Sequence, residues 1–138
     1  MKRISEPMQK EKETKKTKSV ITNNSVLLLN TEYFCTLLNL EIFKITNLKP
    51  TVVDSIDEII EQLKNQEYAI IIIDFKLNSI ITGIELAEQI RKMKIQSKII
   101  LQSSVVLNDF QINNIKQLDC EYILKPIEIE TFISILKD

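Results

Sequence analysis

The stretch Tyr68-Ala69-Ile70-Ile71-Ile72-Ile73-Asp74 places five apolar residues in a row directly before a carboxylate. Four of the five are β-branched, and such an uninterrupted run predicts a strand buried on both faces, as in the centre of a parallel sheet covered by helices. Asp74 would then lie at the carboxyl end of this strand. Ligands of open α/β sheets bind outside the carboxyl ends of the strands, so Asp74 is a candidate site residue, although an acidic residue can also simply end a strand.

Short apolar runs and amphipathic segments alternate along the rest of the chain. Strands are predicted at residues 25–29, 51–53, 98–102 and 121–124, and helices at residues 31–45, 55–63, 84–93, 108–118 and 128–136. Strict alternation of strands and helices implies a parallel sheet with helices on both faces and right-handed crossovers. The predicted class is therefore a doubly wound α/β domain.

Several local features sharpen this prediction. Thr31 is a candidate helix N-cap, Pro50 is expected to break the chain before the second strand, and Ser55 with Glu58 has the spacing of a capping box. The only glycine, Gly83, stands where a loop enters a helix, which suggests a close approach that a side chain would forbid. Core-facing stripes are predicted on the first helix at Phe34, Leu37, Leu38, Ile42 and Ile45, and on the fourth helix at Phe110, Ile112 and Ile115.

Length and charge indicate one folded domain behind a polar arm. The chain has 138 residues, and residues 1–24 hold seven Lys and Arg against three Glu with almost no apolar residue, so they predict a disordered basic arm before a domain at residues 25–138. The remaining 114 residues carry 11 basic and 16 acidic groups. This acidic balance argues against nucleic acid as a partner, because nucleic-acid binding requires a clustered basic face.

The residue inventory excludes further classes of site. The chain has no histidine, which excludes His-based triads, His-ligated metals and a His phosphodonor. Cys35 and Cys120 lie far apart in apolar segments and are expected to be buried, reduced thiols. No apolar run is long enough for a membrane span, and no signal peptide is recognisable, so we expect a cytoplasmic protein without a membrane partner.

Polar residues follow four of the predicted strands and should share one rim of the sheet. They are Asn30 and Thr31 after the first strand, Asp74 after the third, Ser103 after the fourth and Lys125 after the fifth. A carboxylate flanked by a hydroxyl and an ammonium suits an acyl phosphate, because Lys neutralises phosphoryl charge and Ser donates a hydrogen bond to phosphoryl oxygens.

Over about residues 25–138 the chain resembles the receiver domain of two-component response regulators. The resemblance is carried by the run ending at Asp74, by Thr82-Gly83-Ile84-Glu85-Leu86, by Ile99-Ile100-Leu101-Gln102-Ser103-Ser104 and by Tyr122-Ile123-Leu124-Lys125-Pro126. No single piece is specific, but all of them occur in the expected order. The resemblance implies a flavodoxin-like five-stranded sheet with strand order 2-1-3-4-5.

The resemblance also implies roles for individual residues. Asp74 would accept the phosphoryl group, the Ser103 hydroxyl would follow that group, Lys125 would pair with its charge, and Tyr122 would be the aromatic switch that turns inward on activation. Without the family context, each of these residues has an ordinary structural role. Ser103 would be a strand-end residue, Tyr122 a half-buried strand aromatic and Lys125 a solvated charge.

The chain departs from the family pattern at the metal site. Receivers carry two acidic residues after the first strand that hold Mg²⁺ together with the phosphoacceptor, whereas this chain has Asn30 and Thr31. The loss of carboxylates predicts weak or absent Mg²⁺ binding, with Glu32 as a possible substitute ligand if the turn shifts. The loop at residues 75–82 is one residue longer than usual and has Asn78 where Pro is common.

These features leave alternative functions. The first is a phosphoacceptor that receives its phosphoryl group from a histidine kinase or histidine phosphotransfer protein and signals to a downstream protein partner. The second is a pseudo-receiver that binds partners without phosphorylation. An enzyme or flavin carrier on the same fold is disfavoured because no glycine-rich phosphate loop is present, and the chain is not expected to be an enzyme. Since the sequence ends after the fifth helix, it is expected to act through partners or to be part of a longer hybrid kinase.

Overall fold

The computed structural model describes residues 23–30 and 32–138, so nearly all of the predicted arm at residues 1–24, and also Thr31, lies outside the described residues. Five strands and five helices alternate along the described part of the chain. The strands are β1 (Ser25–Leu29), β2 (Lys49–Val53), β3 (Ile70–Asp74), β4 (Lys98–Ser103) and β5 (Glu121–Leu124). The helices are α1 (Tyr33–Ile45), α2 (Ile56–Asn65), α3 (Gly83–Lys92), α4 (Asp109–Gln117) and α5 (Ile129–Lys137).

The strands form one parallel sheet in the order β2-β1-β3-β4-β5. This arrangement confirms the predicted doubly wound fold with strand order 2-1-3-4-5. In the register of the sheet, Ile72 lies beside Leu28 of β1 and Ile100 of β4. The sheet therefore brings the carboxyl ends of β1, β3 and β4 to one rim.

The isoleucine run forms the centre of the core, as predicted. Ile71 and Ile73 pack in one apolar cluster with residues of α2 and α3, and Ile70 and Ile72 pack in a second cluster with residues of α1 and α5. All four side chains are buried. Because burying each such side chain contributes about 1.5–3 kcal/mol, this strand fixes the position of Asp74 firmly in the rim.

The core-facing stripe predicted for α1 is wrong in part. Phe34 is 81% exposed and Ile45 is 71% exposed, and Leu37 is exposed as well, whereas Ile42 is buried and Leu38 is half-buried. The helix turns Asn39 to the core instead, where it exchanges two hydrogen bonds with Gln102 of β4: Gln102 Nε2 donates to Asn39 Oδ1 at 3.0 Å, and Asn39 Nδ2 donates to Gln102 Oε1 at 3.4 Å. A buried carboxamide is tolerated here because its partner satisfies it.

Two further expectations are corrected at the sheet edge and on α4. Pro50 lies within β2 and does not precede it. This strand is at the edge of the sheet and pairs with β1 alone, so the missing N–H of proline removes no ladder hydrogen bond from a second neighbour. On α4, Phe110 is exposed, whereas Ile112 is half-buried and Ile115 is buried.

Of the predicted helix caps, the one at Ser55 is confirmed, but its capping box with Glu58 does not form, and the N-cap of α1 is Glu32 and not the predicted Thr31. Ser55 Oγ accepts a hydrogen bond from Glu58 N at 3.1 Å, although the Glu58 carboxylate accepts from Asp54 N at 2.6 Å and not from the N-cap itself. The N-cap of α1 is Glu32, and its side chain makes no capping hydrogen bond. Among the described residues, no helix has both the length and the apolar character that a membrane crossing requires.

Candidate functional site

The structure brings Asp74 and Lys125 together at the carboxyl rim of the sheet. Asp74 ends β3, and Lys125 follows β5, with β4 between the two strands. The backbone N–H of Lys125 donates to Ser103 O at 2.7 Å, which extends the β4–β5 pairing and directs the lysine toward β3. Lys125 Nζ lies 2.8 Å from Asp74 Oδ2, and the two side chains are 8% and 13% exposed. The result is a largely buried, charge-assisted hydrogen bond.

Gly83 holds the start of α3 against the end of β3. A Cβ atom at this position would lie 2.3 Å from Asp74 O and 2.5 Å from Leu101 Cδ2, which confirms the predicted close approach. The Gly83 N–H donates to Phe75 O at 2.6 Å. Thr82 and Glu85 close a reciprocal capping box around the same turn. The backbone of Asp74 is therefore fixed by α3 as well as by the sheet.

A third charged group, Glu32, reaches the same pair. Glu32 Oε1 lies 2.9 Å from Lys125 Nζ, so the ammonium bridges two carboxylates. The Glu32 side chain is 62% exposed, and it also accepts a hydrogen bond from Cys35 Sγ at 3.3 Å. The sequence suggested Glu32 as a substitute metal ligand, but the structure shows it as a partner of Lys125.

The contact between Glu32 and Lys125 shifts the pKa values of the groups around it. The hydrogen bond from Lys125 is the main cause that lowers the pKa of Glu32, and the Cys35 thiol adds to it. Burial by itself would lower the pKa of Lys125, but the hydrogen bonds to Asp74 and Glu32 outweigh burial and raise it. Burial and the neighbouring Glu32 raise the pKa of Cys35. Lys125 therefore stays an ammonium, and Cys35 stays a thiol at neutral pH.

Asn30 is held by neighbours other than Asp74. Its Nδ2 donates to Asp54 Oδ1 at 3.0 Å, its Oδ1 accepts from Thr36 Oγ1 at 2.5 Å, and its backbone N–H donates to Val53 O at 2.7 Å. Asp54 is a neighbour of the site that was not among the predicted site residues. The available signal was its position directly after β2, the strand next to β1.

The donor set does not fit the magnesium ion that the resemblance implies. Within residues 23–30 and 32–138, no three His, Cys, Asp or Glu side chains converge closely enough to hold a metal ion. Hard divalent cations prefer several carboxylate oxygens. Here Glu32 is directed at Lys125, and the Asn30 carboxamide oxygen is already hydrogen-bonded to Thr36.

Ser103 and Tyr122 meet at the backbone of Val105. The buried Ser103 hydroxyl donates to Val105 O at 2.7 Å and accepts from Val105 N at 3.1 Å. The Tyr122 hydroxyl lies 3.5 Å from the same carbonyl oxygen, and the side chain is half-buried. Both residues are thus near one turn after β4, while the hydrogen bonds of the Ser103 hydroxyl go to that turn.

An open cleft of about 1110 Å³ gives access to the site. Its lining includes Asp74, Lys125 and Glu32 and also the loop after β3, with the exposed Ile80. Asn78 Oδ1 shapes this loop by accepting hydrogen bonds from the N–H groups of Ile80 and Ile81 at 2.7 and 2.9 Å. Asp74 therefore borders a cleft that is open to solvent.

Comparisons with known proteins agree with this architecture. Residues 26–137 match the response regulator receiver domain family. No curated protein matches the chain. The receiver domain of the Francisella response regulator 1452 has 23% identity and a TM-score of 0.72, with 83% of this chain and 94% of that chain covered. A CheY-like receiver domain from Methylobacillus flagellatus has 20% identity and a TM-score of 0.71, with 84% and 98% covered.

A third similar structure is a complex from Saccharomyces cerevisiae. It contains the histidine phosphotransfer protein Ypd1 and the receiver domain of its downstream response regulator Ssk1, and the similarity has 15% identity, a TM-score of 0.67 and coverage of 80% and 83%. Identities this low show the fold alone. Receiver domains generally bind Mg²⁺ and are signalling modules, not typically enzymes. From the family match across residues 26–137, we conclude that the chain belongs to the response regulator receiver domains of two-component signalling.

Proposed function

We propose that this receiver accepts a phosphoryl group on Asp74 from a phosphohistidine of a histidine kinase or histidine phosphotransfer protein. The observation that carries the proposal is the contact of 2.8 Å between Lys125 Nζ and Asp74 Oδ2. A buried ammonium beside a carboxylate at the mouth of an open cleft is suited to stabilise the charge of a phosphoryl group arriving there.

In the proposed reaction, an Asp74 carboxylate oxygen attacks the phosphorus atom of the phosphohistidine. The new P–O bond forms as the P–N bond breaks, and the imidazole nitrogen leaves with the bonding electron pair and takes up a proton. Lys125 neutralises part of the charge on the phosphoryl oxygens. We also propose that Ser103 and Tyr122 respond to the acyl phosphate, because both lie at the Val105 turn next to the site.

The yeast complex supports the class of partner, because it pairs a receiver domain with a histidine phosphotransfer protein. A downstream protein partner, rather than nucleic acid or a membrane, remains part of the proposal. So do the cytoplasmic location, the division into an arm at residues 1–24 and a receiver at residues 25–138, and the weak affinity for Mg²⁺.

One observation favours a pseudo-receiver as the second candidate. Asn30 stands where the family has a carboxylate, and its side chain is hydrogen-bonded to Asp54 and Thr36. In that case the fold would bind its partner without phosphorylation. The two candidates differ in one measurable property, the formation of an acyl phosphate.

Incubation with acetyl phosphate and Mg²⁺, followed by intact mass measurement, separates the two candidates. The phosphoacceptor function predicts a mass increase of one phosphoryl group that is lost in Asp74→Asn. We expect slow labelling, because the acidic pair of the family is missing. If the wild-type protein shows no labelling even with prolonged incubation, the pseudo-receiver function is favoured. Labelling that persists in Asp74→Asn would place the acceptor elsewhere.

A further inference from the structure

Lys125 has two carboxylate partners, and the second one, Glu32, is 93 positions away in the sequence. We propose that the Glu32 carboxylate competes with anionic phosphoryl groups for the ammonium of Lys125, and that an arriving phosphoryl group displaces it. Glu32 would then be a positioning residue, acting through Lys125, that limits how readily an anionic donor enters the site. This inference rests on the proposed function for its biological meaning, but its physical content can be tested separately.

The geometry of Glu32 favours this role over a local structural one. Glu32 is the N-cap of α1 and has an extended backbone with φ of −115° and ψ of 131°, as N-cap residues typically have. Its side chain nevertheless makes no capping hydrogen bond to the backbone of the helix, and its contact within α1 is with the Cys35 thiol at 3.3 Å. The carboxylate instead points across the rim to the residue that follows β5.

The charges of the site favour displacement of Glu32 when an anion arrives. In the structure, one ammonium is shared by two carboxylates, at 2.8 Å from Asp74 and 2.9 Å from Glu32. A phosphoryl group on Asp74 would bring additional negative charge next to the same ammonium. Glu32 would then be a like charge beside the phosphoryl oxygens, and the hydrogen bond from Lys125 is better made to the more strongly charged anion.

The Glu32 side chain can readily leave its contact with Lys125. Its side chain is 62% exposed while that of Lys125 is 8% exposed, so the glutamate can turn into solvent without disturbing the buried lysine. Exposed ion pairs stabilise weakly and are screened by salt. Glu32 should therefore lower the affinity for an anion by a moderate factor, about two- to fivefold, and the factor should shrink as salt is added.

The first experiment uses inorganic phosphate as the probe and the full chain as the protein. Phosphate is titrated into the wild-type protein and Glu32→Gln, and backbone amide signals of Lys125 and its neighbours are followed by NMR. We expect binding about two- to fivefold tighter in Glu32→Gln. Glu41→Gln is the matched control, because Glu41 lies on the same helix, is exposed and pairs only with Lys44 among the ion pairs of the described residues. The control should bind phosphate like the wild type.

A double-mutant cycle tests whether Glu32 acts through Lys125. In the Lys125→Gln background, Glu32→Gln should tighten phosphate binding by a smaller factor than in the wild type, because only the direct charge repulsion remains, whereas an effect of Glu32 that does not act through Lys125 would keep its full size. Equal or weaker phosphate binding in Glu32→Gln than in the wild type, or undetectable binding in Glu32→Gln, would overturn the proposal.

Labelling with acetyl phosphate separates this inference from the proposed function. If Asp74 labels and Glu32→Gln labels faster by a similar factor, both stand. If no variant labels while phosphate binding tightens in Glu32→Gln, the phosphoacceptor function fails and the competition for Lys125 stands. If Asp74 labels and Glu32→Gln changes neither phosphate binding nor labelling, the competition is refuted and the phosphoacceptor function stands.

Discussion

Replacing Gly83 with alanine tests how tightly α3 is seated against the phosphoacceptor strand. The new Cβ would meet Asp74 O at 2.3 Å and Leu101 Cδ2 at 2.5 Å. Close carbon–oxygen contacts normally lie at about 3.3–3.6 Å, so the helix and the strand must part by about 1 Å. Overpacking of this kind typically costs about 1–3 kcal/mol, and the higher helix propensity of alanine offsets only a part of that. We expect a net loss of about 0.5–2 kcal/mol in the free energy of unfolding.

Urea denaturation followed by circular dichroism measures this loss. With a typical slope of about 1–3 kcal/mol per molar urea, the midpoint of Gly83→Ala should fall by about 0.3–1 M. Glu88→Ala, at an exposed position of the same helix, is the control and should stay within about 0.5 kcal/mol of the wild type. A midpoint for Gly83→Ala at or above that of the wild type would show that the contact with Asp74 does not restrict this position.

Three other predictions concern the core, a thiol and the metal. Ile72→Ala should lower the free energy of unfolding by about 2–5 kcal/mol, whereas the control Ile80→Ala, at an exposed position, should change it by less than about 0.5 kcal/mol. A loss under about 1 kcal/mol for Ile72→Ala would contradict the burial of β3. Burial raises the pKa of Cys120 from 9.0 to about 11. Alkylation of Cys120 by iodoacetamide should therefore accelerate only as the pH approaches 11 in the folded protein, but near pH 9 in the urea-unfolded chain. Equal rates of alkylation in the folded and unfolded protein at pH 9 would refute this shift. Asn30→Asp combined with Thr31→Asp should raise both Mg²⁺ affinity, measured by titration, and the rate of acetyl phosphate labelling; an unchanged Mg²⁺ affinity would mean that these two positions do not limit the metal.

The sequence carried enough information for the fold because its strongest signals are local. The isoleucine run before Asp74 predicts a central strand by itself, and the alternation around it leaves few topologies open. The close approach at Gly83 was also predictable, since the only glycine of the chain stands at a loop-to-helix junction, where a missing Cβ lets two backbone segments meet. The confirmed strand order followed from the family resemblance and not from these patterns alone.

The errors arose where a distant residue decides the local arrangement. The spacing of Phe34 and Ile45 predicted a core stripe, but periodicity counts apolar residues only and cannot show that Asn39 has a buried partner 63 positions away. Glu32 was noticed in the sequence as a possible metal ligand. That role stays a prediction, whereas the contact of Glu32 with Lys125 could not be recognised, because a contact between a helix N-cap and the residue after the last strand depends on the completed sheet.

The Asn39–Gln102 pair has a consequence for how the chain avoids wrong structures. Gln102 lies beside Asp74 in the register of the sheet, one residue before Ser103. If β4 slipped by one position, every side chain of the strand would change faces, and the Asn39 carboxamide would be buried among apolar atoms without its partner. The hydrogen bonds between these two neutral amides therefore favour a single register of β4. In this register, Ser103 and Lys125 lie at the same rim of the sheet as Asp74. A shifted register would therefore be destabilised, and it would also separate the residues on which the proposed chemistry depends.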